Sequence, residues 1–276
     1  MSERYTHGHA GAVVDSHARR TAADSAAFVL PHLERSQTLL DLGCGPGSVT
    51  LDLGGRVALA IGVDAAPEAV RRARADTFAR GVVNCDFIVA DVYRLPFADA
   101  SFDVVFAHQL LQHLRDPIAA LREADRVLRP GGIVAVRDSD YGTMVHDPRD
   151  PLLDRWLALY CELARRNGGE PDAGRMLARW VSGAGFADLR VSTSTWTYAT
   201  AAAVEDWRAL WTSRLIEARM GEDAVRLGVA TRADLIELAA AWDRWARSPR
   251  PFFAFLHGEV VATKPVCRVD ASATGG

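Results

Sequence analysis

Short apolar runs alternate with longer amphipathic stretches between residues 38 and 138. Runs of this kind are typical of strands buried on both faces of a parallel sheet, and the stretches between them have the spacing of crossover helices. The pattern therefore predicts an α/β fold built on a parallel sheet. The predicted strands cover 38–42, 58–63, 85–90, 102–107 and 133–137, and the predicted helices cover 48–54, 66–80 and 117–129.

The strict alternation ends after the fifth predicted strand. Helical spacing covers roughly 150–166 and 172–184, and the run at 188–198 carries valine and threonines at alternate positions, which suits a sheet. The segment 200–250 again shows helical spacing and no strand signal. A last strand is predicted at 252–264. The second half of the chain is therefore expected to add helices between two late strands.

Composition and charge narrow the class of protein. Hydrophobic residues make up 49% and charged residues 24% of the chain, and the net charge is −3 without a block of like charges. These values fit an ordinary globular protein better than a nucleic-acid-binding one. The chain has no apolar run of signal-peptide or membrane-span length, and its four cysteines form no CxxC pair. We therefore predict a cytoplasmic protein with reduced thiols, and neither nucleic acid nor membrane as a partner.

The first predicted strand runs into a glycine turn, LLDLGCGPGSVT, at residues 39–50. Asp41, Gly43, Gly45 and Gly47 form the spacing DxGxGxG, which brings backbone N–H groups close to a ligand where no side chain intrudes. The dinucleotide fingerprint GxGxxG is an alternative, but it requires a third glycine at Ser48. A pyrophosphate also disfavours a nearby carboxylate, whereas a cationic amino-acid ligand attracts one. Asp41 therefore argues for a cationic ligand.

In this turn the chain resembles motif I of the class I S-adenosylmethionine (SAM) dependent methyltransferases, and the resemblance to the ubiquinone and menaquinone biosynthesis type continues to about residue 138. The resemblance implies a Rossmann-like α/β fold, with a seven-stranded, mostly parallel sheet whose last strand is antiparallel. Here a helical cap would be inserted between the last two strands. The implied domains are an N-terminal helical segment over the cofactor site at 1–36, a SAM-binding core at 37–199 and 251–265, the cap at 200–250 and a disordered tail at 266–276.

The resemblance also implies a set of cofactor contacts at successive strand ends. The carboxylate of Asp64 can accept hydrogen bonds from both ribose hydroxyls. Asp91 would bind the adenine amino group and Val92 would add backbone contacts. From its place in the N-terminal segment over the cofactor site, Arg20 is expected to pair with the methionine carboxylate, with the alternative of a solvent-exposed helix position. The complete predicted set for SAM is Asp41, Gly43, Cys44, Gly45, Gly47, Asp64, Ala65, Asp91, Val92, His108 and Arg20.

Methyl transfer requires an aligned nucleophile, exclusion of water and, for some acceptors, removal of a proton. In related small-molecule methyltransferases the histidine of an LQHL-like segment and an acid after strand 5 often face the substrate; the matching residues are His113 and Asp138. A histidine oriented by a carboxylate is a plausible base. His108 and Tyr5 are further candidates. His113 has the alternative of a histidine that only packs at a helix start, and Asp138 that of shaping its loop.

The seven tryptophans all lie beyond residue 150, and two pairs have helical spacing within the predicted cap. Aromatic residues above a methyl-donor site indicate an apolar acceptor held by ring stacking. Trp207, Trp211 and Tyr141 are the predicted acceptor contacts, with the alternative that the tryptophans form the core of the cap. His7, His9 and His17 lie in one polar segment without a matching ligand set, so no metal site is predicted.

These observations predict SAM-dependent methyl transfer to a small, apolar, aromatic or indole-like metabolite, as in natural-product biosynthesis. The protein is expected to be a monomer or homodimer with this small molecule as its substrate. A quinone-precursor C-methyltransferase is the nearest alternative. Two alternatives come from other classes: a non-catalytic protein that binds SAM or S-adenosylhomocysteine (SAH), and an NAD-dependent oxidoreductase. The sequence leaves the methylated atom, O, N or C, open.

Overall fold

A computed structural model describes residues 20–266; Tyr5, the three N-terminal histidines and the tail after residue 266 lie outside this part of the chain. The described residues form a mixed α/β fold around one sheet of eight strands. The strands are β1 (Thr38–Leu42), β2 (Leu59–Asp64), β3 (Cys85–Val89), β4 (Phe102–His108), β5 (Leu128–Ser139), β6 (Val145–Asp147), β7 (Ala187–Tyr198) and β8 (Phe252–Thr263).

Helices connect the strands and cover the sheet. Three short 3-10 helices lie at Leu30–His32, Leu111–His113 and Tyr141–Thr143. The α-helices are α1 (Ala22–Ser25), α2 (Ser48–Gly54), α3 (Pro67–Ala79), α4 (Pro117–Val127), α5 (Pro151–Arg166), α6 (Ala173–Gly183), α7 (Ala201–Ile216), α8 (Arg219–Arg226) and α9 (Arg232–Ala246). Within residues 20–266, none of these helices combines the length and the apolar content that crossing a bilayer requires.

The strand order is β3-β2-β1-β4-β5-β8-β6, with β7 also paired to β8. The pairs from β3 to β5 are parallel, and β8 is antiparallel to β5, β6 and β7. The predicted Rossmann-like sheet, mostly parallel with an antiparallel last strand, is confirmed. The prediction of seven strands was one too few, because the short strand β6 pairs with residues 252–254 at the start of β8.

The order of the strands reverses between β1 and β4, because β1 connects toward β2 on one side and β4 leads toward β5 on the other. Open α/β sheets bind ligands at this switch point, beyond the carboxyl ends of the strands. All but the first residue of β1 are buried, and the strand carries Leu39, Leu40 and Leu42 into the two cores on either face of the sheet. The glycine turn therefore starts from a rigid position at the switch point.

A third core lies between the helices α5, α7, α8 and α9, which we call the helical layer, and the aromatic start of β8. Trp156 of α5 is at its centre, with edge-to-face contacts to Trp211 at 4.3 Å and to Trp242 at 4.8 Å between ring centroids. The sequence analysis placed α5 with the cofactor core and the segment 200–250 in a cap. In the structure α5 packs with the helices of that segment.

Candidate active site

The glycine turn after β1 bends sharply between the sheet and α2. Gly43, Gly45 and Gly47 all have positive φ, at +69°, +53° and +82°. The N–H groups of Gly43 and Cys44 both donate to the carbonyl of Val63, at 2.8 and 3.0 Å, which fixes the turn against the end of β2. A Cβ on Gly47 would lie 2.7 Å from the Phe87 ring, whereas a Cβ on Gly45 would meet no atom within 4 Å. Gly47 is thus required by packing, and Gly45 opens onto free space.

That space is a small pocket, partly open to solvent. Asp41 is buried in its wall, and its Oδ2 accepts a hydrogen bond from the Thr50 hydroxyl at 2.6 Å. Burial raises the pKa of Asp41 to about 7; the charge of Asp64 adds to the rise, and the Thr50 hydrogen bond opposes it. A cationic ligand beside a buried carboxyl group stabilises its ionised form. The pocket is lined by Arg20, Asp41, Gly43, Cys44, Gly45, Pro46, Ser48, Val49, Phe106 and His108.

Asp41, Asp64 and Asp91 mark the ends of three adjacent strands, β1, β2 and β3. Asp64 accepts the Gly45 N–H at 2.9 Å on Oδ2 and the Ala66 N–H at 2.8 Å on Oδ1, so its carboxylate is held beside the glycine turn. Asp91 is exposed and accepts the N–H of Tyr93 at 3.0 Å. Neighbouring strands are about 4.8 Å apart, so the three acids span roughly 10 Å of the sheet edge. An extended ligand with a nucleoside at one end fits this row.

The remaining predicted cofactor residues differ in position. Cys44 lies in the pocket wall, and burial together with the charges of Asp41 and Asp64 raises the pKa of its thiol, so it stays protonated. Ala65 is exposed directly after Asp64, and Val92 is buried in the core below Asp91. Arg20 lies in the pocket wall, with its guanidinium 5.1 Å from the centroid of the Trp196 ring.

His108, at the end of β4, is part of a buried polar network that the sequence analysis missed. Nη1 of Arg137 lies 2.8 Å from Nε2 of His108. Arginine can only donate, so Nε2 must be the acceptor and His108 must be neutral, with its proton on Nδ1. His108 therefore lines the pocket as a neutral imidazole. Both ring nitrogens are then engaged or protonated, which argues against the predicted role of His108 as a base.

Arg137 itself is 1% exposed, and Glu259 is its counter-charge, with Nε and Oε1 separated by 3.3 Å. Ser194 accepts from Nε at 3.1 Å and from Nη2 at 3.0 Å, and it donates to Glu259. Ser192 donates to the other oxygen of Glu259 at 2.8 Å. Burial lowers the pKa of Arg137 to about 10 against the raising effect of Glu259. The network joins β5, β7 and β8 directly behind the pocket.

His113 lies in the 3-10 turn Leu111–His113 that follows β4, and Nε2 of Gln112 approaches its Nε2 to 3.2 Å. Burial lowers the pKa of His113 to about 3, and the positive charges of Arg214 and Arg20 lower it further. The imidazole is therefore neutral at physiological pH. With so low a pKa it is a weak base until negative charge enters its surroundings.

Asp138, at the end of β5, is fully buried, and burial raises its pKa to about 8. Its Oδ1 accepts the backbone N–H of Gln112 at 3.3 Å, and the backbone of Leu111 also donates to this carboxyl group. Asp138 thus holds the turn that carries His113, which supports the loop-shaping alternative. The direct pairing of His113 with Asp138 stays a prediction.

Aromatic side chains continue from the pocket toward the helical layer. We call Tyr141, Trp196, Tyr198, Trp207 and Phe255 the aromatic wall. Trp196 meets the ring of His108 at 5.8 Å, and Tyr198 stacks on Trp207 at 4.1 Å. Phe255 lies 6.1 Å from Trp196 and 5.6 Å from Trp207. Trp196 and Tyr198 keep part of their surface exposed, so the wall has accessible faces beside the pocket.

All three predicted acceptor contacts are buried in the core of the helical layer, with 4% of Tyr141, 5% of Trp207 and 0% of Trp211 exposed. The alternative that the tryptophans form the core of their own layer therefore fits both Trp207 and Trp211, and acceptor contact by Trp207 stays a prediction. Arg214, on the same helix, is also buried, and the guanidinium lies 4.6 Å from the Trp211 ring centroid.

Sequence reasoning missed Thr50, Arg137, Trp196 and Arg214. Two of these had a signal in the sequence. Arg137 is a charged residue within the apolar run IVAVR, and Arg214 falls on the buried stripe of α7. A charge at a core position indicates either a buried partner or a ligand. Within residues 20–266, no cluster of three metal-binding side chains occurs.

Comparisons with known proteins found one matching family model, which covers the first five strands of the sheet, and relatives that match nearly the whole chain. Residues 40–136 match a family model described as a methyltransferase domain. An uncharacterised methyltransferase of Schizosaccharomyces pombe is 32% identical over 273 residues, covering 94% of this chain and 96% of that protein. A probable methyltransferase of Aspergillus luteorubrus is 28% identical over 292 residues, covering 96% of this chain and 98% of that protein. The crystal structure of the YcgJ protein from Bacillus subtilis has 20% identity and a TM-score of 0.57, covering 87% of this chain and 97% of that one, and it supports the fold alone.

Proposed function

The chain belongs to the SAM-dependent methyltransferase family, and on this premise we propose that it methylates a small metabolite with an aromatic, largely apolar body. The observation that carries the proposal is the aromatic wall, which begins at the pocket through the contact of Trp196 with His108. Rings that line one side of a cleft favour a flat, apolar ligand. Specialised natural products supply many acceptors of this kind.

The residues of the pocket fit SAM. Asp41 is a buried carboxylate that pairs with no cation among residues 20–266, and the methionine half of SAM carries an ammonium and a sulfonium. Gly45 leaves open space in which SAM would lie, and Asp64 presents a fixed carboxylate for the ribose. When bound, SAM supplies a methyl group that is activated by its positively charged sulfur.

The chain's own residues then position the acceptor. We expect the aromatic wall to hold its ring, while the turn fixed by Asp138 places His113 next to it. His113 is neutral and can accept a hydrogen bond or a proton from the acceptor. Because its pKa lies near 3, it suits an acidic acceptor group better than an aliphatic alcohol.

The alternatives predict different results. Because the chain belongs to the methyltransferase family, the alternative of an NAD-dependent oxidoreductase is no longer considered. A quinone-precursor C-methyltransferase would transfer the label to a prenylated ring, and a non-catalytic protein would bind SAM and SAH without turnover. The test is to incubate the purified protein with methyl-labelled SAM and an extract of the producing cells. We expect the label in a small aromatic product identified by mass. Label confined to protein, nucleic acid or prenylated quinone would contradict the proposal.

The affinity for SAM is expected to fall as the pH is lowered through 7. The carboxylate form of Asp41 attracts the cation, and the raised pKa of about 7 means that this form is lost below that pH. Well below pH 7 the apparent dissociation constant should rise roughly tenfold for each pH unit. Titration calorimetry at pH 7.5 and below measures this, since the ligand's own α-amino group loses its charge only near pH 8.

The control for this prediction is Asp41→Asn, which keeps the size of the side chain and removes the titration. The variant should bind SAM weakly at every pH, with no slope attributable to position 41. Arg20 and His108 line the pocket, Asp64 is bonded to the Gly45 N–H beside it, and all three remain in the variant, so their contributions are measured separately. A wild-type affinity that does not change between pH 7.5 and 5.5 would refute the role given to Asp41.

A further inference from the structure

Arg214 is a buried cation in the helical layer. It is 4% exposed, and its Nε has no hydrogen-bond partner. Among residues 20–266, no carboxylate forms an ion pair with it; its observed contact is the face of the Trp211 ring. Burying a charge is expensive, so buried guanidinium groups are ordinarily paired with an acid or held by several acceptors. Arg214 therefore has unused binding capacity.

The other arginines nearby do not share this property. Arg208, on the same helix, pairs with Glu205 and with Asp243. Arg137 is equally buried, but Glu259 and Ser194 satisfy it within the protein. Arg208 and Arg137 thus each have an acid partner within the protein, and Arg214 differs from both.

Arg214 lies toward the end of the sheet where the acceptor is expected. Its ring partner Trp211 contacts Tyr160 edge-to-face at 5.5 Å, and Tyr160 stacks on Tyr141 at 4.2 Å. Tyr141 follows β5 directly and belongs to the aromatic wall. A short path of touching rings therefore leads from the guanidinium to the strand ends.

The electrostatic influence of Arg214 reaches the same place. After burial, which is the main cause, its charge is the next to lower the pKa of His113. Burial raises the pKa of Tyr141 and of Tyr198; the charge of Arg214 opposes both shifts, and so does the charge of Arg20, which has the larger effect on Tyr198. His113, Tyr141 and Tyr198 come from the turn after β4, the end of β5 and the end of β7. The charge of Arg214 thus acts on groups at three of the strand ends around the expected acceptor position.

We propose that Arg214 binds a carboxylate on the acceptor, so that the substrates of this enzyme are aromatic acids. A carboxylate fits the two-pronged face of a guanidinium and supplies the charge that the site lacks. A phosphate dianion would need a second cation; Arg20, whose charge also reaches His113, Tyr141 and Tyr198, lines the SAM pocket, where it is expected to pair with the methionine carboxylate. The inference rests on the proposed function, because it names the acceptor of the same site.

The test compares acids with their uncharged amides on the SAH-loaded protein. The probes are indole-3-acetate with indole-3-acetamide and phenylacetate with phenylacetamide, titrated by calorimetry. Each acid should bind at least about tenfold more tightly than its amide, as a charge-assisted pair implies. In Arg214→Met the acid should fall to the affinity of the amide, and the amide should bind as in the wild type. Arg214→Lys keeps the charge and should retain part of the preference.

The matched control is Arg232→Met, which removes an exposed arginine from α9 and should leave the preference intact. SAH affinity and melting temperature confirm that each variant is folded. Equal binding of acid and amide by the wild type, survival of the preference in Arg214→Met, or binding of neither pair up to the solubility limit would each overturn the inference. Failure of the proposed function gives a different result, the absence of a labelled small aromatic product from methyl-labelled SAM, whether or not the acids bind more tightly than the amides.

Discussion

Gly45→Ala is expected to weaken SAM binding by about ten- to a hundredfold while the protein still folds. The added Cβ meets no protein atom within 4 Å, so it projects into the pocket that the ligand would occupy. The φ of +53° adds strain of about 1 kcal/mol to the folded state. Calorimetric titration with SAM measures the first effect, and urea denaturation measures the second.

Gly81→Ala provides the matched control. Gly81 has a φ of +64° and equally open surroundings, but it lies after α3, away from the pocket wall. The two variants should lose similar unfolding free energy, and only Gly45→Ala should lose affinity for SAM. Equal affinity in both variants would mean that the ligand does not approach Gly45. Gly47→Ala is unsuitable as a control, because its Cβ would clash with Phe87 and destabilise the fold itself.

Arg137→Met is expected to lower the free energy of unfolding by about 3–5 kcal/mol, because it leaves Glu259 buried without its counter-charge. The double variant Arg137→Met/Glu259→Gln removes both charges and should recover at least about 1 kcal/mol of this loss. Urea denaturation of the wild type, the single variants and the double variant gives the coupling between the two residues.

An exposed ion pair serves as the reference for this experiment. Arg71 and Glu68 on α3 are 72% and 82% exposed, with 3.3 Å between the charged atoms. Arg71→Met should change the unfolding free energy by no more than about 0.5 kcal/mol. Two results would contradict the role of the buried pair. One is a loss of unfolding free energy in Arg137→Met as small as that in Arg71→Met. The other is a loss in the double variant larger than the summed losses of the two single variants.

The sheet and the cofactor side of the site could be predicted because their signals are local. Each parallel strand is a short apolar run, and the carboxyl ends of parallel strands meet at one edge of the sheet. Asp41, Asp64 and Asp91 could therefore be placed in a row from their positions after three runs. The glycine turn is also local, since its conformation is required by the residues that form it.

The Arg137 network could not be predicted because it depends on the register of distant strands. Arg137 is opposite Glu259 in the β5–β8 pair, and Ser192 is opposite Glu259 in the β7–β8 pair. These partners come together only because β8 lies between β5 and β7. The neutral state of His108 follows from its contact with Arg137 in that network. It could not be predicted either, because it depends on the same pairing of distant strands.

The acceptor side shows a third case. The tryptophans were visible in the sequence, but helical spacing alone does not show that Trp207 stacks on Tyr198 of the aromatic wall while Trp211 packs on Trp156 at the centre of the helical layer. Arg214 was equally visible, three positions after Trp211 on the buried stripe of α7. Its meaning depends on the absence of an acid opposite it among residues 20–266, which the sequence does not reveal.

The central claim is that the turn between β1 and α2 binds the methionine end of SAM. The most direct measurement is calorimetric titration of the purified wild-type protein with SAM, and separately with NADH, at pH 7.5. The account predicts one SAM bound per chain and no binding of NADH, because a buried acid beside the glycine turn favours an ammonium and opposes a pyrophosphate. Binding of NADH without binding of SAM would contradict it.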